Sequence, residues 1–209
     1  KFVGNTVFLT IVVTILQLLT SSFAAYSFAK LDFKHKNKLF LAYIATIAMP
    51  WQVYMVPQFI MMRSMGLNDK LLAMICLQAF SAFGVFLMKQ FYEGIPDDLC
   101  EAARIDGSGE FKTFNTIVLP LMKPAIAVQA IFSFVGSWNN YFTPALILHD
   151  NEKKTLPILI AQLRGADFLK FDMGQVYMMI AFSIFPVIVV YLLLSKHIVQ
   201  GVAMGSVKG

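Results

Sequence analysis

The stretch "FVGNTVFLTIVVTILQLLTSSFAAYSFA", Phe2 to Ala29, contains no charged residue. At about 1.5 Å per residue it is longer than the about 30 Å hydrocarbon core of a bilayer. Four further uncharged runs follow, at 39–62, 71–88, 124–148 and 173–195. The composition agrees: 58% of the 209 residues are hydrophobic, 14% are charged and the mean hydropathy is +0.68. A soluble domain carries about 25% charged residues, so this chain has too few to cover a surface facing water. Only helices and closed barrels satisfy their backbone in lipid, and these runs lack the alternation of barrel strands. The sequence therefore predicts an all-α integral membrane protein. Five transmembrane helices are expected, at about 5–29, 39–60, 70–91, 123–147 and 174–195.

The loops set the orientation. "KLDFKHKNK", Lys30 to Lys38, holds four lysines in a short connection and is expected on the cytoplasmic side. Alternation then puts "MRSMGLNDK" outside, the loop near 93–122 inside, the long 149–172 connection outside and the C-terminus in the cytoplasm. The net charge of +5 thus reads as a topological signal, and nucleic acid is not an expected partner. In the second run "MPWQVYMVP" sets Pro50 and Pro57 around Trp51 and Tyr54. It reads as an interfacial segment, with a kink as the alternative. Cys76 and Cys100 give no disulfide framework, and His35, His149 and His197 lie apart without metal-ligand spacing.

The polar loop is out of character with this background. Glu93, Asp97, Asp98, Glu101, Asp106 and Glu110 make up half of the chain's twelve acidic residues. "GSGEFKT" is no phosphate loop, because Phe111 stands where a Walker sequence needs glycine before the lysine. No nucleophile or metal cluster accompanies the carboxylates. What the loop does carry is helix punctuation. Pro96 is placed to open a helix, and Asp98 with Glu101 fits a capping box. Gly107 stands where a left-handed residue would end that helix, giving a span of about 97–106. A second amphipathic piece follows, with Phe111, Phe114, Ile117 and Val118 on its apolar side and Pro120 and Pro124 closing it.

Within the helix cores the polar side chains are uncharged, and bonding to neighbouring helices is their default role. "GSWNNYFTP", Gly136 to Pro144, stands out by placing Trp138, Asn139, Asn140 and Tyr141 in sequence. Amides and flat rings suit a neutral polyhydroxylated ligand; an interfacial aromatic belt accounts for the same residues equally well. On a continuous helix, neighbours differ by about 100°, so at most one of Asn139 and Asn140 would face a pathway.

"EAARIDG" followed by "FNTIVLPLMKP" resembles the EAA loop of ABC importer permeases. The matching residues are Glu101, Ala102, Ala103, Asp106, Gly107, Ile117, Leu119 and Pro120. "AAYSFAKLDFKHKN", "GSWNNYFTPALIL" and the tail "VQGVAMGSVKG" resemble the carbohydrate-uptake branch, the kind represented by the smaller permease of the maltose system. The resemblance covers nearly the whole chain, 1–209, as a single transmembrane domain with its coupling loop at about 93–122. It implies a bacterial plasma (inner) membrane location and a non-catalytic permease subunit. It also implies a second permease, two ATP-binding cassette ATPase subunits, an extracytoplasmic solute-binding protein and membrane lipid as partners. ATP and Mg would bind the ATPase subunits, and no cofactor is expected on this chain. Glu101 to Gly107 would lie in the coupling helix that docks on the ATPase, the alanines allowing close approach. Trp138, Asn139, Asn140 and Tyr141 would contribute to the sugar path. Such permeases usually have six spans, so the resemblance implies that an N-terminal helix is missing here.

Two other classes are the alternatives. A secondary sugar transporter or facilitator predicts repeated halves and, for ion coupling, ionisable groups within the spans. A membrane enzyme predicts a nucleophile or metal beside the loop carboxylates. Neither signature is found in the sequence.

Overall fold

The computed structural model describes residues 1–164 and 173–206. Helix α1 (Phe2–Lys30) covers the first uncharged run without interruption. Three of its hydroxyls bond back to its own backbone, Thr6 to Phe2 O, Thr20 to Leu16 O and Ser27 to Phe23 O, so those three need no water.

The second run is broken rather than continuous. Helix α2 (Lys36–Ala45) passes through a 3₁₀ turn (Thr46–Ala48) and stops; α3 (Trp51–Ser64) starts afresh after Pro50. Met49 is extended (φ −80°, ψ 116°), as steric conflict with the following proline ring requires. Pro57 lies inside α3 and is tolerated there.

The third run forms α4 (Leu71–Gln78) and α5 (Ala82–Glu93), with Ser81 accepting a bond from Gly84 N (3.0 Å) as the cap of α5. The polar loop follows as α6 (Asp97–Ile105), α7 (Glu110–Thr113), a π-helical turn (Phe114–Val118) and α8 (Leu119–Leu121). The wide turn comes just before Pro120, which has no N–H to continue an α-helical ladder.

The fourth run also differs from expectation. Helix α9 (Lys123–Trp138) ends at the tryptophan, and α10 (Phe142–Ile147) restarts after a gap at 139–141. Pro144 explains it, because its ring would strike the carbonyl of Asn140 in a continuous helix. Helices α11 (Leu156–Arg164) and α12 (Met173–Ser206) complete the described chain, which contains no strand.

Among the described residues, three helical stretches are long and apolar enough to cross a membrane: Phe2–Lys30, Leu71–Glu93 (α4 with α5) and Met173–Lys196. The number reaches five if each of two broken pairs, Lys36–Ala48 with Trp51–Ser64 and Glu110–Leu121 with Lys123–Ile147, counts as one span. The apolar window of α12 has no buried residue. Phe182, Phe185 and Leu192 are all at least half exposed, a surface suited to lipid or another apolar partner.

The chain forms two units. One combines Lys1–Ile15 and Pro50–Ala79 with the described part of 132–193. Its core gathers Leu9, Met62, Ala73, Met74, Ile147 and Leu148. Asp69, itself left-handed (φ 56°), accepts the backbone N–H groups of His149 and Asp150 and pairs with Lys153 (2.8 Å). The Lys153 ammonium, helped by these N–H donors, holds the Asp69 carboxyl down at about 2. The other unit combines Leu16–Met49 and Phe80–Ile131 with the described part of 194–209. Ala25, Tyr26, Val85, Met88, Tyr92, Cys100, Phe114, Val118, Met122 and Ala125 form its core. In the tail, 199–206 continues α12, whereas 207–209 lies outside the described residues.

Candidate functional site

Helix α6 is amphipathic, and its two faces do different things. Cys100 and Ala103 turn inward and are buried. Burial in apolar surroundings pushes the Cys100 thiol up, so it is a packing residue rather than a reactive one. Leu99 (42% exposed), Ala102 and Ile105 (85% exposed) point outward at helical spacing, beside the exposed Glu101. An isoleucine so exposed, outside the apolar runs, marks a surface that a partner can cover. The paired alanines therefore separate, Ala102 to the outer surface and Ala103 to the chain's own core.

The expected capping box is absent. The cap position is Pro96, which has no side-chain bond to offer, and Asp98 lies two residues too far into the helix. Asp97 instead pairs with Lys30 (2.6 Å), whose ammonium holds the Asp97 carboxyl below its ordinary range. The C-terminus follows expectation. Asp106 is the last partly helical residue and Gly107 adopts φ +78°. Ser108 N donates to Ala103 O (2.9 Å) and Gly107 N to Arg104 O (3.0 Å), the two bonds of a Schellman motif.

Beyond the glycine, Glu110 accepts from Arg104 Nε (2.7 Å) and from the Tyr26 hydroxyl (2.8 Å). The Arg104 guanidinium first, and the Tyr26 bond second, lower the Glu110 carboxyl. Both carboxylates are thus ionised at neutral pH. Their folded values are depressed, so these contacts are complete above the usual carboxylate range and are lost as pH falls through the folded values.

Further along, Phe114 and Val118 are buried, with Ile117 and Leu119 packed at the edge of the same core. Pro120 is exposed. Phe111, expected on the apolar side, is instead 70% exposed. The wide turn after Thr113 shifts the register of the helix face, so Phe111 and Phe114 are no longer equivalent. Phe111 keeps a stacked contact with Phe23, their ring centres 6.2 Å apart.

The second candidate cluster is divided by the break after α9. Trp138 is buried, stacks on Phe134 and donates Nε1–H to Ser183 O (3.0 Å). It borders a wholly apolar cavity of about 290 Å³. Asn140 donates to Gln78 Oε1 (2.9 Å), and its own Oδ1 accepts from Thr143 N (3.3 Å). These two residues hold structure. Asn139 and Tyr141 are exposed. Tyr141 also lines a polar cavity of about 290 Å³ with His149, Lys154 and Gln162. Because 139–141 is not helical, the 100° separation expected of neighbours does not apply.

Sequence reading missed Tyr26, Lys30, Leu99, Arg104 and Ile105. Lys30 carried a signal, a charge at the boundary of a long apolar helix, but it was read only as a vote on topology. Leu99 and Ile105 are visible as the i−3 and i+3 neighbours of Ala102 once the register of α6 is known.

Comparison with known proteins now bears on this geometry. Residues 17–204 match the model of the family described as binding-protein-dependent transport system inner membrane component. The chain is 34% identical over 209 residues to the arabinooligosaccharides transport system permease protein AraQ of Halalkalibacterium halodurans, covering 99% of this chain and 73% of that protein. It is 33% identical over 213 residues to the melibiose/raffinose/stachyose import permease protein MelC of Bacillus subtilis, covering 99% and 76%. Among solved structures it is similar, with TM-score 0.83 and 26% identity, to a chain of a bacterial ABC transporter involved in the import of the acidic polysaccharide alginate. That match covers 93% of this chain and 73% of the other. The chain belongs to the family of binding-protein-dependent transport system inner membrane components and is a multi-pass protein of the bacterial inner membrane.

Proposed function

We propose that the chain is a permease subunit of an ATP-driven importer of sugars or oligosaccharides, coupled to a cytoplasmic ATPase through α6. The observation that carries the reading is the two-faced helix, packed inward through Cys100 and Ala103 and presenting Leu99, Glu101, Ala102 and Ile105 outward. A rigid, capped helix with an exposed apolar stripe is what a docking element needs, because its own conformational entropy is already spent. Sugar as cargo is supported by the relatives' names, AraQ and MelC among them. A second permease, two ATPase subunits and an extracytoplasmic binding protein complete the proposed assembly. The chain itself hydrolyses nothing and binds no cofactor. ATP-dependent uptake of labelled oligosaccharides by the reconstituted complex tests this; uptake that proceeds without the ATPase would favour a facilitator.

Orientation follows from the lysine loop, with the C-terminus in the cytoplasm. A cysteine introduced at the exposed Asn37 should resist a membrane-impermeant thiol reagent in intact cells, in a Cys76→Ser background. One at the exposed Lys70 should react. The reverse pattern would put α6 on the wrong side for an ATPase.

For the sugar path, Asn139 and Tyr141 are the members of their cluster free to meet a solute. Asn139→Ala or Tyr141→Ala is expected to lower uptake severalfold while leaving thermal stability unchanged. Asn140→Ala should instead cost about 1 kcal/mol of stability through its two lost bonds. Normal uptake in both the Asn139 and Tyr141 variants would remove the path from this segment.

A further inference from the structure

We propose that Lys30 and Tyr26, on the last two turns of α1, are positioning residues that make α6 move as one body with α1. The proposal rests on the coupling role given to α6 above. Lys30 holds both ends of that helix. Its ammonium donates to Ile95 O (2.5 Å) and pairs with Asp97 at the start, while its carbonyl accepts from Arg104 Nη2 (3.3 Å) near the end. Arg104 also binds Glu110, which Tyr26 grips from α1. The ring of Tyr26 packs edge-on against Phe114 (5.1 Å between centres), so the hydroxyl is anchored from both sides.

The covalent neighbours of α6 offer nothing as stiff. It joins α5 through Gly94, Ile95 and Pro96, and α7 through Asp106, Gly107, Ser108 and Gly109. Each connector contains glycine, the residue that most readily absorbs a change of backbone angle. A push on α6 transmitted through these connectors would be spent in bending them. The attachment to α1 crosses 65 residues or more of sequence and is made of charged and hydrogen-bonded contacts to a continuous helix.

A lysine at a membrane boundary ordinarily extends its head into water. The Lys30 side chain is only 3% exposed, so its charge is committed to the partners named. Burying an ammonium is unfavourable unless it is paired and bonded. Being buried, it cannot touch the ATPase, so any loss of coupling on its removal is not a lost docking contact.

The test uses the assembled complex, with its ATPase and loaded binding protein, and compares Lys30→Met, Lys30→Arg, Asp97→Asn, Tyr26→Phe and the docking-face variant Ile105→Asp. Three quantities are read: ATPase co-purification, sugar transported per ATP hydrolysed, and the stimulation of hydrolysis by the binding protein. Lys30→Met is expected to keep the ATPase bound, yet to lower transport per ATP about tenfold, within the range of coupling effects. Lys30→Arg should recover most of it. Combining Lys30→Met with Asp97→Asn should add nothing, because both break one tie. If Lys30→Met yields no folded protein, Asp97→Asn with Tyr26→Phe loosens both ends through near-isosteric changes and must show the same split. Wild-type transport per ATP in that pair or in Lys30→Met overturns the proposal, and so does a loss that merely tracks loss of ATPase. Normal ATPase retention and uptake in Ile105→Asp would instead defeat the coupling reading of α6 itself.

Discussion

Gly107→Val should give a membrane-inserted, stable protein that neither retains its ATPase well nor transports. The reason is local. At φ +78° a side chain bearing a Cβ is strained by about 1–2 kcal/mol, and a β-branched one by more. No atom lies within 4 Å of the position a Cβ would occupy, so steric crowding contributes nothing and the effect is purely one of backbone angle. Relaxing to negative φ breaks both Schellman bonds, to Ala103 O and Arg104 O. It also redirects the chain towards Glu110, whose bonds to Arg104 and Tyr26 depend on that path. A graded series follows from the same geometry. Asparagine tolerates left-handed angles and should be nearly neutral, alanine intermediate and valine worst. ATPase co-purification and labelled-sugar uptake read the series, and equal activity across it would sink the argument. A catalytic loop behaves differently: Glu101→Gln alone would stop turnover with the ATPase still attached.

The membrane class and the helix-ending glycine were legible because each depends on near-local rules. A run without charge needs only its own length to imply a span, and a helix ends at a glycine for reasons contained in a few residues. The breaks were less visible. Pro144 lies within an uncharged run, and the sequence does not show whether the helix kinks there or stops and restarts; the Asn140 side chain accepting from Thr143 N marks a restart. Asp98 and Glu101 had the right spacing for a capping box, but Lys30, far away in sequence, pairs with Asp97, and the helix is capped two residues earlier, at Pro96. The facing of Ala102 and Ala103 was likewise hidden, since a motif names both residues and only the packing of Cys100 decides which one turns inward. Lys30 is remote in sequence, whereas Asn140 and Cys100 are near neighbours whose bonding and packing only the fold decides.

A glycine that no motif flagged has the largest expected effect on stability. Gly84, in α5, is packed so tightly that a Cβ there would lie 2.5 Å from Ser21 Oγ on α1 and 2.5 Å from Gln129 Nε2 on α9. Ser21 and Gln129 are both essentially fully buried. Small residues permit this approach of helices in a membrane, where packing and interhelical polar contacts replace the hydrophobic effect as the driving force. Gly84→Ala is expected to cost about 1–3 kcal/mol, the usual range for overpacking. The end of Gln129 can swing aside, but the Ser21 hydroxyl sits on a short arm and has little room to yield. Gly84→Leu should leave almost no monodisperse protein in detergent, because three helices would have to separate. Combining Gly84→Ala with Ser21→Gly should recover part of the loss by clearing one of the two contacts. Thermal unfolding in detergent distinguishes this variant from Gly107→Val, whose melting should stay close to wild type while transport is lost. A Gly84→Leu protein that purifies and melts normally would mean that α1, α5 and α9 do not meet so closely at this point.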